Sequence, residues 1–166
     1  MESYMEHLVK KKVTTGDIAI RALCILVIVA AAVAGLLFVG ALGLIVALIL
    51  GYVYRMLIYP MTNLEYEYLY CDKTITVSKI MNREKRKDLE VFDLDKMELL
   101  APANSYRLGE YKNRDLKVSE YWSMDKGKEE PPYAMIYEGG RKILLDLPKD
   151  FVKIVQNNAP RKVFFD

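Results

Sequence analysis

The sequence predicts a membrane α-helical hairpin followed by a mainly-β soluble domain. Three observations carry that reading. The run from Ala22 to Tyr54 holds no charged residue and no proline. After Pro60 the composition changes to dense charge with many tyrosines. From Asn63 the apolar residues recur at every second position, the period of a half-buried strand.

Residues 1–17 read as a cytoplasmic segment ahead of the membrane. Tyr4, Met5, Leu8 and Val9 fall at helical spacing and Lys10, Lys11 and Lys12 follow. That pattern predicts a short amphipathic helix on the membrane surface. His7, the only histidine, has no second ligand or nucleophile nearby in sequence and reads as a solvated side chain. Thr14-Thr15-Gly16-Asp17 is a helix start: a threonine caps free N–H groups, and an aspartate suits the positive end of the helix.

Residues 18–59 form the two-helix hairpin. A bilayer core needs roughly 20 apolar residues per span, so the whole apolar run is too long for one. Gly35, Gly40 and Gly43 mark its reversal, with spans near Ile18–Leu37 and Ala41–Ile58. Arg21 lies one turn inside the first span and snorkels to the headgroups. Arg55, with Tyr52, Tyr54 and Tyr59, makes an interfacial belt at the end of the second, and Pro60 stops the helix. Gly43, Ala47 and Gly51 share one face of the second helix, matched on the first by Ala30 and Ala34 or by Ala31 and Gly35. Such small faces let backbones approach closely. Packing within the hairpin is expected ahead of dimerisation between chains. No ionisable group lies deep in either span, which argues against an ion path or transport site. Ala32-Val33-Ala34 has the form of a signal-peptide cleavage site, but the leader is long and of mixed charge, so two retained spans are expected. Basic residues flank both spans and the inter-span turn has none. This predicts a two-pass plasma-membrane protein with its N-terminus and C-terminal domain in the cytoplasm.

Residues 61–166 form the soluble domain. Strands are expected over Asn63–Tyr70, Thr74–Met81, Lys85–Phe92, Met97–Ala101, Leu116–Ser123, Tyr133–Tyr137 and Lys142–Leu147. Cys71-Asp72-Lys73 and Asn82-Arg83-Glu84 are turns, and Glu138-Gly139-Gly140-Arg141 is a hairpin signal because glycine accepts positive φ. Ala103–Arg114 reads as a loop and Asp125–Pro132 as a charged linker. A helix opens at Pro148-Lys149-Asp150, with Phe151, Val152, Ile154 and Val155 on its apolar face. Val163, Phe164 and Phe165 are too apolar for a free tail and are expected to pack back on the domain.

Seven short antiparallel strands and a closing C-terminal helix, placed directly after a two-helix hairpin, resemble the bacterial PH-like (pleckstrin-homology-like) membrane proteins, including small ones of Gram-positive bacteria. The stretches that carry the resemblance are Leu64–Tyr70, Thr74–Met81 with its basic turn, Leu89–Ala101 and Asp146–Val155. The resemblance implies a seven-stranded barrel or sandwich plugged by the last helix. It transfers no catalytic residue, because the family has none established. The basic turn lacks the full signature of eukaryotic lipid-binding PH domains.

The net charge of +2 argues against a nucleic-acid partner. Cys24 and Cys71 lie in different environments, which suits a reducing compartment. No phosphate loop, nucleophile elbow or H-E-x-x-H motif occurs, and one histidine with two separated cysteines does not make a common zinc site. No enzyme activity, cofactor or metal is therefore expected. Arg83, Lys85, Arg86 and Lys87 form the one dense charge cluster of the domain. They read either as a solvated turn or as contacts to anionic lipid headgroups. Two functions remain: a non-catalytic PH-like module that scaffolds a protein partner or senses the bilayer, or an accessory subunit docking on another membrane protein through Gly43, Ala47 and Gly51.

Overall fold

The computed structural model describes residues 4–125, 127–128 and 130–165. The chain enters as a strand, not a helix. β1 (Met5–Lys10) pairs antiparallel with β2 (Leu64–Cys71), from Met5 opposite Tyr70 to Lys10 opposite Glu65. This corrects the amphipathic helix expected within residues 1–17, of which residues 1–3 lie outside the described residues. The alternation Met5, His7, Val9 against Glu6, Leu8, Lys10 fits a strand as well as a short helix. Pairing along β2 then decides, since a helix this short is marginal alone.

Between these two paired strands lies the hairpin. Helix α1 (Thr15–Val39) has 25 residues, and an 18-residue stretch of it reaches a mean hydropathy of 3.0; α2 (Ala41–Thr62) has 22 residues, with an 18-residue stretch at 2.1. Both are long and apolar enough to cross a bilayer. Thr14 opens α1 with a reciprocal cap: its side chain accepts from the Asp17 amide and its own amide donates to the Asp17 carboxylate. Gly40, at φ 70°, makes the reversal. Pro60 does not stop α2 as expected. Proline cannot donate to the carbonyl four residues back and its ring crowds it. The helix widens instead over Tyr54–Ile58, where the Tyr59 amide reaches back five residues to the Tyr54 carbonyl, and continues to Thr62.

The β domain is two four-stranded sheets. Sheet 1 runs β1-β2-β3-β4, with β3 at Thr74–Met81 and β4 at Lys85–Asp93. Sheet 2 runs β5-β7-β8-β6, with β5 at Met97–Pro102, β6 at Lys117–Tyr121, β7 at Tyr133–Tyr137 and β8 at Arg141–Leu145. Every pair is antiparallel except β6 with β8, which is parallel, so the all-antiparallel expectation fails at one edge. β5 ends beside Tyr133, at the start of β7, whereas β6 starts beside Gly140, at the β7–β8 turn. The connection therefore crosses sheet 2 corner to corner and leaves β6 running with β8. It is not bare loop: a 3-10 turn at Tyr106–Tyr111 buries Leu108 against Leu99, Ala101, Ala134 and Ile136 on the outer face of the sheet.

The main core lies between the sheets. Tyr66, Tyr68 and Tyr70 of β2 face Met135, Ile143 and Leu145, and helix α3 (Lys149–Asn158) closes the end with Phe151, Val152 and Val155 fully buried. Phe151 meets Tyr70 edge to face at 6.2 Å. Ile154 is only partly buried. Val163 bridges to Leu100 of β5 and Phe164 packs on the outer cluster, so these two fold back as expected, whereas Phe165 stays exposed.

Candidate membrane-facing site

Among the described residues, connections between the hairpin and the domain gather at one end of sheet 1, next to the end of β6. The Lys11 amide donates to the Leu64 carbonyl at 2.9 Å, and the Lys12 amide to the Ser123 carbonyl at 2.7 Å. On the other side of β2 the Asn82 amide donates to the Asn63 carbonyl at 3.0 Å, and the Asn63 side-chain amide donates to the Asn82 side-chain oxygen at 3.3 Å. The β3–β4 turn, with Asn82 and Arg83 both at positive φ, is thus fastened to the residue that follows α2. Across the hairpin base Arg21 donates to the Thr62 hydroxyl at 2.7 Å and to its carbonyl at 3.0 Å. Arg21 and Arg55 also both lie over the Tyr59 ring, 5.2 and 5.1 Å from its centre.

The basic turn therefore sits beside the exit of α2, but its four cations are not equivalent. Arg83 Nε lies 3.2 Å from Glu65 Oε1, and Arg86 Nη2 lies 2.7 Å from Glu67 Oε2. Glu65 and Glu67 project from the outer face of β2, where the sequence suggests a solvated edge, yet each is 4% exposed. They sit on a central strand, with β1 and β3 on either side and the two guanidiniums laid across them. Burial raises the Glu67 carboxyl above its ordinary value; Arg86 pulls it down, and a hydrogen bond with Glu6 pushes it up again. Lys85 and Lys87 are exposed and make no ion pair among the described residues. Lys87 stands opposite Lys79 on β3, a like-charge pair that favours an anion nearby.

The small-residue face of α2 divides in a similar way. Gly43 is buried against Gly35: a Cβ on Gly43 would stand 2.2 Å from the Gly35 carbonyl carbon. Ala47 is half-buried on the same side, and a Cβ on Gly51 would meet nothing within 4 Å. On α1 the inward residues are Ala31 and Gly35, while Ala30 and Ala34 face outward.

Two further residues escape a reading of the sequence. His7 is half-buried rather than solvated; it lies on the core side of β1, its ring 6.4 Å from that of Tyr68, and burial holds its pKa below the ordinary value. Tyr68 is fully buried, donating its hydroxyl to the Tyr121 carbonyl and accepting from the Asp146 amide at 3.2 Å. Both lie opposite each other across β1 and β2, a pairing that cannot be seen without the register. Among the described residues no group of three or more His, Cys, Asp or Glu is placed to hold a metal ion.

A family described as "Bacterial PH-like domain (DUF6106)" matches residues 1–165. No similar chain was found among curated proteins or among solved structures.

Proposed function

The chain belongs to this bacterial PH-like family, and we propose that it is a non-catalytic, membrane-anchored binding module at the inner face of the plasma membrane. Both termini lie on the cytoplasmic side in this reading. The observation that carries it is the insertion of the whole hairpin between β1 and β2. Adjacent strands of one sheet cannot lie on opposite sides of a bilayer, so two crossings between them favour a two-pass arrangement. The lysines at the hairpin base favour the cytoplasmic side.

Two covalent connections fix the sheet over the membrane in one orientation. Of the basic turn, Lys85 and Lys87 are the residues that contact anionic headgroups, because Arg83 and Arg86 are committed to Glu65 and Glu67. Each lysine near an anionic surface contributes about 1 kcal/mol. That sum orients a tethered domain and would not hold a free one. Docking on another membrane protein through Gly43, Ala47 and Gly51 is the weaker reading, since Gly43 is taken up by Gly35 within the hairpin.

Lysine footprinting of the full chain in nanodiscs tests the lipid contact. Lys85 and Lys87 should react more slowly with an amine reagent in anionic than in neutral nanodiscs, and high salt should remove the difference. Equal reactivity in both lipids would reduce the turn to a solvated hairpin tip.

A further inference from the structure

We infer that Trp122, with Met124 beside it, forms a second membrane contact seated in the headgroup layer of the bilayer. It lies on the far side of the hairpin base from the basic turn. This rests on the two-span reading above. The Lys11–Lys12 segment is flanked by Leu64 on one side and by Ser123 on the other, so the end of β6 is fastened to the chain just before it enters α1. A surface cavity of about 490 Å³ at this point is lined by Lys12, Thr14, Thr15, Glu120, Trp122 and Met124, with Val13. Thr15 is the first residue of the span.

The depth follows from helix geometry. The apolar span begins near Ile18, one turn before Arg21, and Ile18 lies three residues beyond Thr15, about 4.5 Å along the axis. With the hydrocarbon boundary at Ile18, Trp122, beside Thr15, lies in the polar layer above it, which is about 5–7 Å thick on each side. The indole chemistry fits that layer. Trp122 is half-buried, and its Nε1–H is enclosed with no acceptor among the described residues. An enclosed N–H is out of a lipid's reach, so the contact is made by the exposed part of the ring, an amphipathic group enriched at this depth. The electrostatics differ from those of the basic turn. Glu120 lines the cavity, and Lys12 is paired with Asp125 at 2.7 Å. The contact is therefore aromatic rather than ionic and does not depend on anionic lipid.

Trp122 is the only tryptophan, so its fluorescence reports this site alone. The full chain is reconstituted in phosphatidylcholine liposomes carrying a nitroxide on the headgroup, high on the acyl chain or near its end. The expected order of quenching is headgroup, then shallow, then deep, unchanged by high salt. Flotation of the same liposomes reports insertion separately. Chain that is inserted but unquenched by any label overturns this contact and leaves the two-span reading standing. Strongest quenching by the deep label also overturns it. Chain that does not insert overturns both.

Discussion

Replacing Arg86 with glutamine should destabilise the domain in a way that depends on pH. Arg86 lies over Glu67, a carboxylate whose side chain is 6% exposed, while Arg86 itself is 50% exposed. Removing one partner of a fully buried pair costs about 3–5 kcal/mol, whereas exposed pairs are worth about 0.2–1 kcal/mol. A half-hydrated arginine over a buried carboxylate falls between, at about 2 kcal/mol. For a domain of this size that lowers Tm by about 8–15 °C. The sign with pH follows from Glu67. Burial raises its pKa in the folded state, so the folded chain holds that proton more tightly than the unfolded chain. Its contribution to stability is full below the unfolded value, about 4.3, and is lost as pH rises through the raised folded value. Arg86 is the group that pulls that value down, so its loss extends the penalty. Arg86→Gln should therefore cost little near pH 4.5 and most at pH 7.5. Thermal denaturation of the full chain in detergent, followed by near-ultraviolet circular dichroism, measures it. Adding Glu67→Gln should restore most of the loss at pH 7.5, because the buried carboxylate left without its arginine is then gone. An Arg86→Gln melting curve equal to that of the native chain at pH 7.5, or no rescue by Glu67→Gln, would refute the buried-pair argument.

The helix contact and the closure of the core give further tests. Gly43→Ala places a methyl 2.2 Å from the Gly35 backbone and should part the helices at a cost of about 1–3 kcal/mol; Gly51→Ala meets open space and should cost nothing measurable in the same detergent melt. Phe151→Ala removes a fully buried ring and should cost about 3–5 kcal/mol, read as a large fall in Tm. A chain beginning at Asn63 lacks β1 and should aggregate or melt early. One in which a short turn replaces residues 12–62 keeps the β1–β2 pairing and should stay soluble and folded by circular dichroism.

Much of this architecture is legible in the sequence because its signals are local. Thr74–Met81 and Tyr133–Tyr137 are strands over the very residues expected, and the apolar run marks the two long helices. What escaped depends on partners far apart in the chain. β1 is six residues of weak alternation whose identity is decided by β2, on the other side of both spans. The alternation of a half-buried strand implies one wet face, yet Glu65 and Glu67 on that face are buried, with Arg83 and Arg86, from the far side of β3, laid over them. The direction of β6 depends on where Ala103–Leu116 crosses the sheet, which no local pattern encodes. The basic cluster was visible as charge, but its division into two paired arginines and two exposed lysines appears only with the register.

The central claim is that residues before and after the hairpin form one sheet on the cytoplasmic side. Single cysteines at Tyr4 and at Asn157, both exposed, in a background of Cys24→Ser and Cys71→Ser, test it most directly. With a membrane-impermeant thiol reagent, both positions should stay unlabelled in intact cells and both should label after permeabilisation. Labelling of either position in intact cells would contradict the account.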